Sequence, residues 1–392
     1  MLDRPIYMDA HATTPVDPRV LDAMLPFFTE TFGNAASRNH EYGWLAETAT
    51  ERARDQVAEA IGASPKEIVW TSGATESDNL AVLGAARALR DRGDHVVTCV
   101  TEHPAVLDPV RQLERDGWSV TRLPVDGHGH LDPDGLKRAL TPRTTLVSIM
   151  TANNEVGTIH PVRELAATVR AHSNALFHTD ATQAIGAVPI HVHDDGIDLL
   201  SLSGHKIYGP KGVGALFVRR RRPTVRLVPL QHGGGHERGL RSGTLNVPGI
   251  VGLGVAAEMA AGGRERETAR IAVLRDRLRD RILAELDGVE LNGDPERRLP
   301  NNLNLSFAGV ESEDLLRSMP GVAVSTGAAC SSASLDPSHV ITALGLGQAR
   351  AQSSLRFGLT RFNTEEEVDR VAGLVVAGVR SLREANGIPS GC

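Results

Sequence analysis

Between residues 66 and 220, short apolar runs alternate with stretches of helical periodicity, and this alternation limits the fold more tightly than any other feature. The runs are EIVWT, HVVTCV, TTLVSIM, NALFHTD, IDLLSLSG and GVGALFVRR. They are nearly continuous in apolar residues, as strands covered on both faces are. Between the first two, ESDNLAVLGAARALRDR (76–92) sets Leu80, Leu83, Ala86 and Leu89 near helical spacing, with Gly93 after it. Further helices are predicted over 104–116 and 161–172, the latter with Pro161 at its start. Repeated strand–helix alternation predicts an α/β fold, a mostly parallel sheet flanked by helices.

Open sheets of this kind bind ligands outside the carboxyl ends of their strands. TSGATESDN, TEHP, ANNEVG, TDATQ and SGHK follow five successive runs, so their polar groups are expected on one rim around a large polar ligand. After about residue 255 the pattern changes to a charged helix (263–287), short strand-like pieces (NNLNLSFAG, GVAVST, SSLRFGLT) and a last helix at 364–385. The expected organisation is a large domain over 15–255 and a smaller α+β domain built from 1–14 with 256–392.

Composition narrows the classes. A formal net charge of −6 argues against a dedicated nucleic-acid or membrane-surface binder. The N-terminal stretch carries no basic segment leading into an apolar one, and no run approaches the ~18 apolar residues of a membrane span. Three cysteines are unlike a secreted disulfide framework, and no CxxC or Cys/His spacing suggests a metal site. The chain therefore reads as cytoplasmic.

Only four lysines are present, Lys66, Lys137, Lys206 and Lys211. Lys206, in SGHKIYGPKG after an apolar strand, is best placed to leave water and act as an amine nucleophile. The other three fit ordinary surface or turn positions. In SGATESDN, the amides of Ala74, Thr75 and Glu76 open a helix, where uncapped N–H groups attract phosphate. A plain N-cap by Ser72 or Thr75 suits the same residues. Ser203 and His205 on a neighbouring strand end add donors.

Asp180, just past a strand, needs a cationic or hydrogen-bonding partner. A protonated pyridine nitrogen would serve, and so would the next turn as an Asp-capped segment. Gln183 is in reach of an oxygen on the same ring. His103 before Pro104 could lie over an aromatic cofactor, or be an ordinary loop residue. Asn154 can donate to a carboxylate, and Arg356 can clamp one bidentately or act as a plain salt-bridge partner. HGGGHERGLRSGT (232–244) offers Arg238, Arg241 and Thr244 to an anion, while Arg219–Arg222 reads as a solvated strand end. Cys99 is expected as an inert buried thiol and Cys392 as a terminal residue. Cys330, in STGAACSSAS, has the small-residue, exposed setting that a reactive thiol requires.

Taken together, YMDAHATTPVDPRV, TSGATESDNLA, TEHPAVLD, NNEVGT, DATQAIG, SGHKIYGPKGVGAL, HGGGHERGLRSGT and TGAACSSASLDPSHV resemble the cysteine desulfurases, pyridoxal 5'-phosphate (PLP) enzymes of the class V aminotransferase superfamily. The STGAACSSAS form is similar to the group serving iron–sulfur assembly and thiolation. The resemblance implies a fold-type I PLP enzyme with Lys206 as the cofactor's covalent anchor, His103 stacked on its ring, Asp180 on its nitrogen and Gln183 on its ring oxygen. It implies that Ala74, Thr75, Ser203 and His205 hold the phosphate, joined by Thr244 of the partner subunit in a homodimer. Asn154, Arg356 and Asn34 would hold the substrate carboxylate. Cys330 would take sulfur from L-cysteine as a persulfide, leave L-alanine, and pass the sulfur to an acceptor protein of iron–sulfur assembly, tRNA thiolation or DNA phosphorothioation. Family members commonly have Pro where Ala35 stands and Ser where Ala329 stands. A selenocysteine lyase or a class V aminotransferase would share Lys206 and Asp180, although an aminotransferase needs no loop thiol. A non-catalytic sulfur-relay subunit would need neither residue.

Overall fold

The computed structural model describes residues 4–221, 224–326 and 338–388. The chain opens with a two-residue strand, Ile6–Tyr7 (β1). Seven strands then form one sheet: Ile68–Thr71 (β2), His95–Cys99 (β3), Ser119–Leu123 (β4), Thr144–Ser148 (β5), Leu176–Asp180 (β6), Leu199–Ser203 (β7) and Gly214–Val218 (β8). Val289–Leu291 (β9), Asn302–Phe307 (β10), Val322–Ala323 (β11) and Ser354–Gly358 (β12) follow. The large sheet has the order β2-β8-β7-β6-β5-β3-β4. β8 runs antiparallel to both its neighbours, and the other pairs are parallel. The sheet is thus mostly parallel and flanked by helices, as expected.

Alternate side chains of each strand serve opposite faces of the sheet. Ile68, Trp70, Val97, Val147, Phe177, Leu200 and Phe217 pack on one side. Val69, Val96, Leu146, Leu199 and Leu216 pack on the other, against Leu80 and Leu83 of the helix Ala74–Ala88. All six predicted runs contain a strand. β4 was not predicted: SVTRL lies at the sheet edge and only Leu123 of it is buried, so the apolar signal is weak.

A second core gathers Leu303, Phe307 and Phe357 from the antiparallel β12-β10-β9 sheet with Val375 of the helix Glu365–Ala385. One 39-residue helix, Val247–Glu285, supplies Leu253 and Ala260 to the first core and Ile271 and Leu278 to the second. It starts 16 residues before the predicted 263, because the glycines of VPGIVGLGV are contact points. A Cβ on Gly254 would lie 2.6 Å from Ala53 Cα, so only glycine lets the two helices approach this closely. We propose the two cores as those of the domains expected over 15–255 and 1–14 with 256–392, whose limit falls inside this helix.

Arg219 departs from its expected solvated setting. It is buried, with Nε donating to Ile197 O at 2.9 Å and forming an ion pair with Asp198 Oδ1 at 3.1 Å. Cys99 is buried as expected, and burial pushes its thiol up to about 12. Cys330 and Cys392 lie outside the described residues.

Candidate active site

The carboxyl ends of β2, β3, β5, β6 and β7 open onto one cavity of about 550 Å³. Ser72, Gly73, Ala74 and Thr75 line it from beyond β2, His103 from beyond β3 and Asn154 from beyond β5. Asp180, Thr182 and Gln183 come from β6, and Ser203, His205 and Lys206 from β7. All five expected segments therefore meet on one rim. Arg356 reaches the same cavity from β12, and His11, Ala12 and Thr13 from the N-terminal segment.

Local rules explain the placement. The helix Ala74–Ala88 starts after Gly73, whose position carries no side-chain cap, so neither Ser72 nor Thr75 closes the first turn. Instead Glu76 accepts from Ser72 N at 2.7 Å and pairs with Arg241 at 2.8 Å. Gly214, where β8 begins, is needed for space: a Cβ there would lie 2.7 Å from Gly73 Cα. Asp180 Oδ1 does accept from Thr182 N at 2.8 Å, so it caps its turn while its carboxylate lines the cavity.

Lys206 closes the short 3-10 turn Gly204–Lys206. Its Nζ donates to the carbonyls of His11 and Ala12, the latter at 2.8 Å. Lys211, read as a turn lysine, also lines the cavity but is exposed. His103 caps the helix Pro104–Arg115, with Nδ1 accepting from Ala105 N at 3.1 Å, so in the neutral ring Nε2 carries the hydrogen. Burial holds its pKa below the usual 6.5, against the pull of Asp180. His205 is pushed down to about 4 by burial and by Lys206 and Lys211.

Two further acids sit near Asp180. Asp78 and Glu102 are fully buried, and burial together with the Asp180 charge raises both well above the usual carboxyl range. Arg356 is 2% exposed, donates from Nη1 to Asn154 O at 3.1 Å and from Nη2 to Asp9 Oδ1 at 3.0 Å, and leaves Nε without a hydrogen-bond partner among the described residues.

Asn34 and Thr244 are not brought into this cavity. Both are exposed, and Asn34 Oδ1 accepts from Ala36 N at 2.9 Å. His11, Asp78 and Glu102 were missed from sequence. The one signal for the two acids was a carboxyl inside an otherwise apolar helix face or just past a buried strand.

The family model for class V aminotransferases matches residues 6–371. The chain belongs to that family. Within it, the chain is 59% identical over 380 residues to the cysteine desulfurase IscS of Anaeromyxobacter sp. (strain Fw109-5), covering 97% of this chain and 94% of that one. A solved structure described as a NifS-like protein has a TM-score of 0.90 and 38% identity, covering 96% of this chain and all of that one. Another, SspA in complex with cysteine, has a TM-score of 0.80 at 38% identity, covering 91% and 99%. The chain is a cysteine desulfurase by family, and these class V enzymes use PLP.

The cavity fits that cofactor. Its volume lies in the range of small-molecule sites. It joins an uncapped helix start, suited to a phosphate, to a carboxylate at Asp180 suited to a ring nitrogen. Thr182 Oγ1, buried beside Asp180, has no hydrogen-bond partner among the described residues.

Proposed function

We propose that this chain desulfurates L-cysteine, releasing L-alanine and loading the sulfur on Cys330. One observation carries the reading: Lys206, His103, Asp180 and Gln183 reach a single cavity from three separate strand ends, with the Arg356 guanidinium at its wall. Bound there, PLP supplies an electron sink for the substrate Cα–H bond. Ala74, Thr75, Ser203 and His205 would hold its phosphate, Asp180 its ring nitrogen, Gln183 its ring oxygen and Lys206 its carbonyl carbon. Arg356, with Asn154, orients the substrate by its carboxylate. Lys206 Nζ takes the substrate's α-proton, and neutral His103 is placed to pass a proton. The Cys330 thiolate then attacks the substrate sulfur. A new S–S bond forms as the Cβ–S bond breaks, a proton added at Cβ gives the methyl group, and Lys206 returns a proton to Cα to give alanine.

The finer points belong to the same proposal. Seven large apolar side chains between Leu21 and Leu45 are exposed, among them Phe28, Phe32 and Trp44. Such a patch supports a homodimer, in which Thr244 and Asn34 serve the neighbouring site. A cytoplasmic setting agrees with the described helices, none of which is long and apolar enough to cross a membrane. The sulfur acceptor would be an iron–sulfur scaffold, a tRNA-thiolation protein or a DNA-phosphorothioation protein.

The deciding experiment uses the PLP-loaded protein with L-cysteine and a thiol reductant, and measures alanine and sulfide. Cys330→Ser should abolish sulfide release while substrate still perturbs the cofactor's absorbance. Release at the parent rate from that variant would overturn the proposal.

A further inference from the structure

His11 stands in the N-terminal segment MDAHATT, is 2% exposed and lines the cavity, yet the scheme above gives it no role. Its ring and backbone grip one side chain from both ends. Gln183 Nε2 donates to His11 O at 3.0 Å, while Gln183 Oε1 lies 2.9 Å from His11 Nδ1. The first bond fixes which end of the carboxamide is which. Because Oε1 can only accept, Nδ1 must carry the ring hydrogen.

The ring itself has little room to turn. It lies against β12, where a Cβ on Gly358 would come within 2.9 Å of His11 Cδ2. The backbone is pinned by Ala10 N donating to Gly358 O at 2.9 Å. The same His11 carbonyl also accepts from Lys206 Nζ. Burial, with Arg356 and Lys206 nearby, lowers the ring to about 3, so the neutral donor persists through the physiological range.

We propose that His11 is a positioning residue for Gln183, locking its carboxamide so that the remaining amide N–H, and not the carbonyl, is offered to the ring oxygen of bound PLP. A carboxamide has two N–H donors and one carbonyl. With Oε1 and one N–H engaged by His11, the second N–H is what Gln183 has left for the cavity. Without the lock, the amide can turn its carbonyl toward an anionic oxygen, which repels it. The inference rests on the reading of Gln183 as the ring-oxygen partner.

The test reads the pH midpoint of the cofactor's visible absorbance in the loaded protein, together with the PLP dissociation constant, and needs no turnover. An N–H shared with the ring oxygen draws off charge that would otherwise hold the neighbouring proton. Gln183→Ala should therefore raise the midpoint by roughly 0.5–1 pH unit, the size of one hydrogen bond. His11→Phe, which keeps a flat ring but no donor, should raise it similarly, and His11→Asn, which restores an N–H, should return it toward the parent. The double variant should move no further than Gln183→Ala alone. A parent-like midpoint in His11→Phe beside a raised one in Gln183→Ala would overturn the lock. No shift in Gln183→Ala would instead remove the ring-oxygen reading, and the lock with it. His11→Ala carries the same comparison if the phenylalanine variant does not fold.

Discussion

Arg356 and Asn154, 202 residues apart in the chain, are joined by a 3.1 Å hydrogen bond from the guanidinium Nη1 to the Asn154 carbonyl. The bond ties β12 of the second core to the loop after β5 of the first. It also spends one edge of the guanidinium on the protein, as Asp9 does with Nη2. Lysine has neither the fork nor the reach to make both bonds and still meet a carboxylate. Arg356→Lys is expected to raise KM for L-cysteine by roughly ten- to a hundredfold, with a smaller loss in kcat. Steady-state kinetics decide it, and an unchanged KM would exclude Arg356 from the clamp.

Lys206→Ala should lose the absorbance of cofactor that survives dialysis, and lower desulfuration by about 10³-fold or more. Lys211 faces the same cavity and serves as the control. If Lys211→Ala, and not Lys206→Ala, lost the bound chromophore, the assignment of the anchor would be reversed.

Arg54 and Glu237 form a bidentate pair at 2.8 and 2.9 Å with side chains 4% and 3% exposed. Glu237 also accepts from Trp70 N at 2.9 Å, and Arg54 lies over the Trp70 ring. This fastens the glycine-rich segment 232–244 to the edge strand β2. Glu237→Ala leaves the buried guanidinium with only the exposed Glu51, 3.0 Å from Nε, as a charged partner, so a loss of about 3 kcal/mol is expected in urea unfolding. A loss under about 1 kcal/mol would mean that water or another group replaces the carboxylate.

His178 is fully buried between Ser148 Oγ at 2.8 Å and Ser201 Oγ at 3.0 Å, and burial lowers it from 6.5 to about 3. The unfolded chain takes up this proton as pH falls through 6.5, while the folded chain does not until about 3. Its neutral burial therefore costs nothing above that window and destabilises progressively below it. His178→Gln should be less stable at neutral pH by about 1 kcal/mol, with the gap closing by up to ~1.4 kcal/mol per unit as the pH drops. Urea titrations at several pH values check this. A gap that stayed constant would show that His178 titrates alike in both states.

The parts of the fold that read plainly from sequence were those whose signal is local. Six apolar runs announced six strands because both faces of the sheet are covered. β4 escaped because only Leu123 of its five residues is buried, whereas β2, at the other edge, is buried throughout. The start of the helix Val247–Glu285 escaped because its glycines, poor helix formers by themselves, are justified only by Met24 and Ala53 packing against them. In the site, Lys206, His103, Asp180 and Gln183 were legible as polar groups at strand ends. His11 was not, since its meaning lies in Gln183, 172 residues away. Asn34 and Thr244 fall outside their own chain's cavity, and a linear reading of one chain has no way to separate that case from the others.

The single helix that runs through both cores, and the late position of β12, also set an order of assembly. A ribosome releases the Lys206 turn long before it releases Arg356, because 356 − 206 leaves 150 residues still to be made. The first core can close around its strand ends during that interval, yet the guanidinium that would seat an amino acid is still missing. On the proposed role of Arg356, a growing chain would meet free cysteine without a grip on it. Sulfur chemistry would wait until β12 has joined the second core.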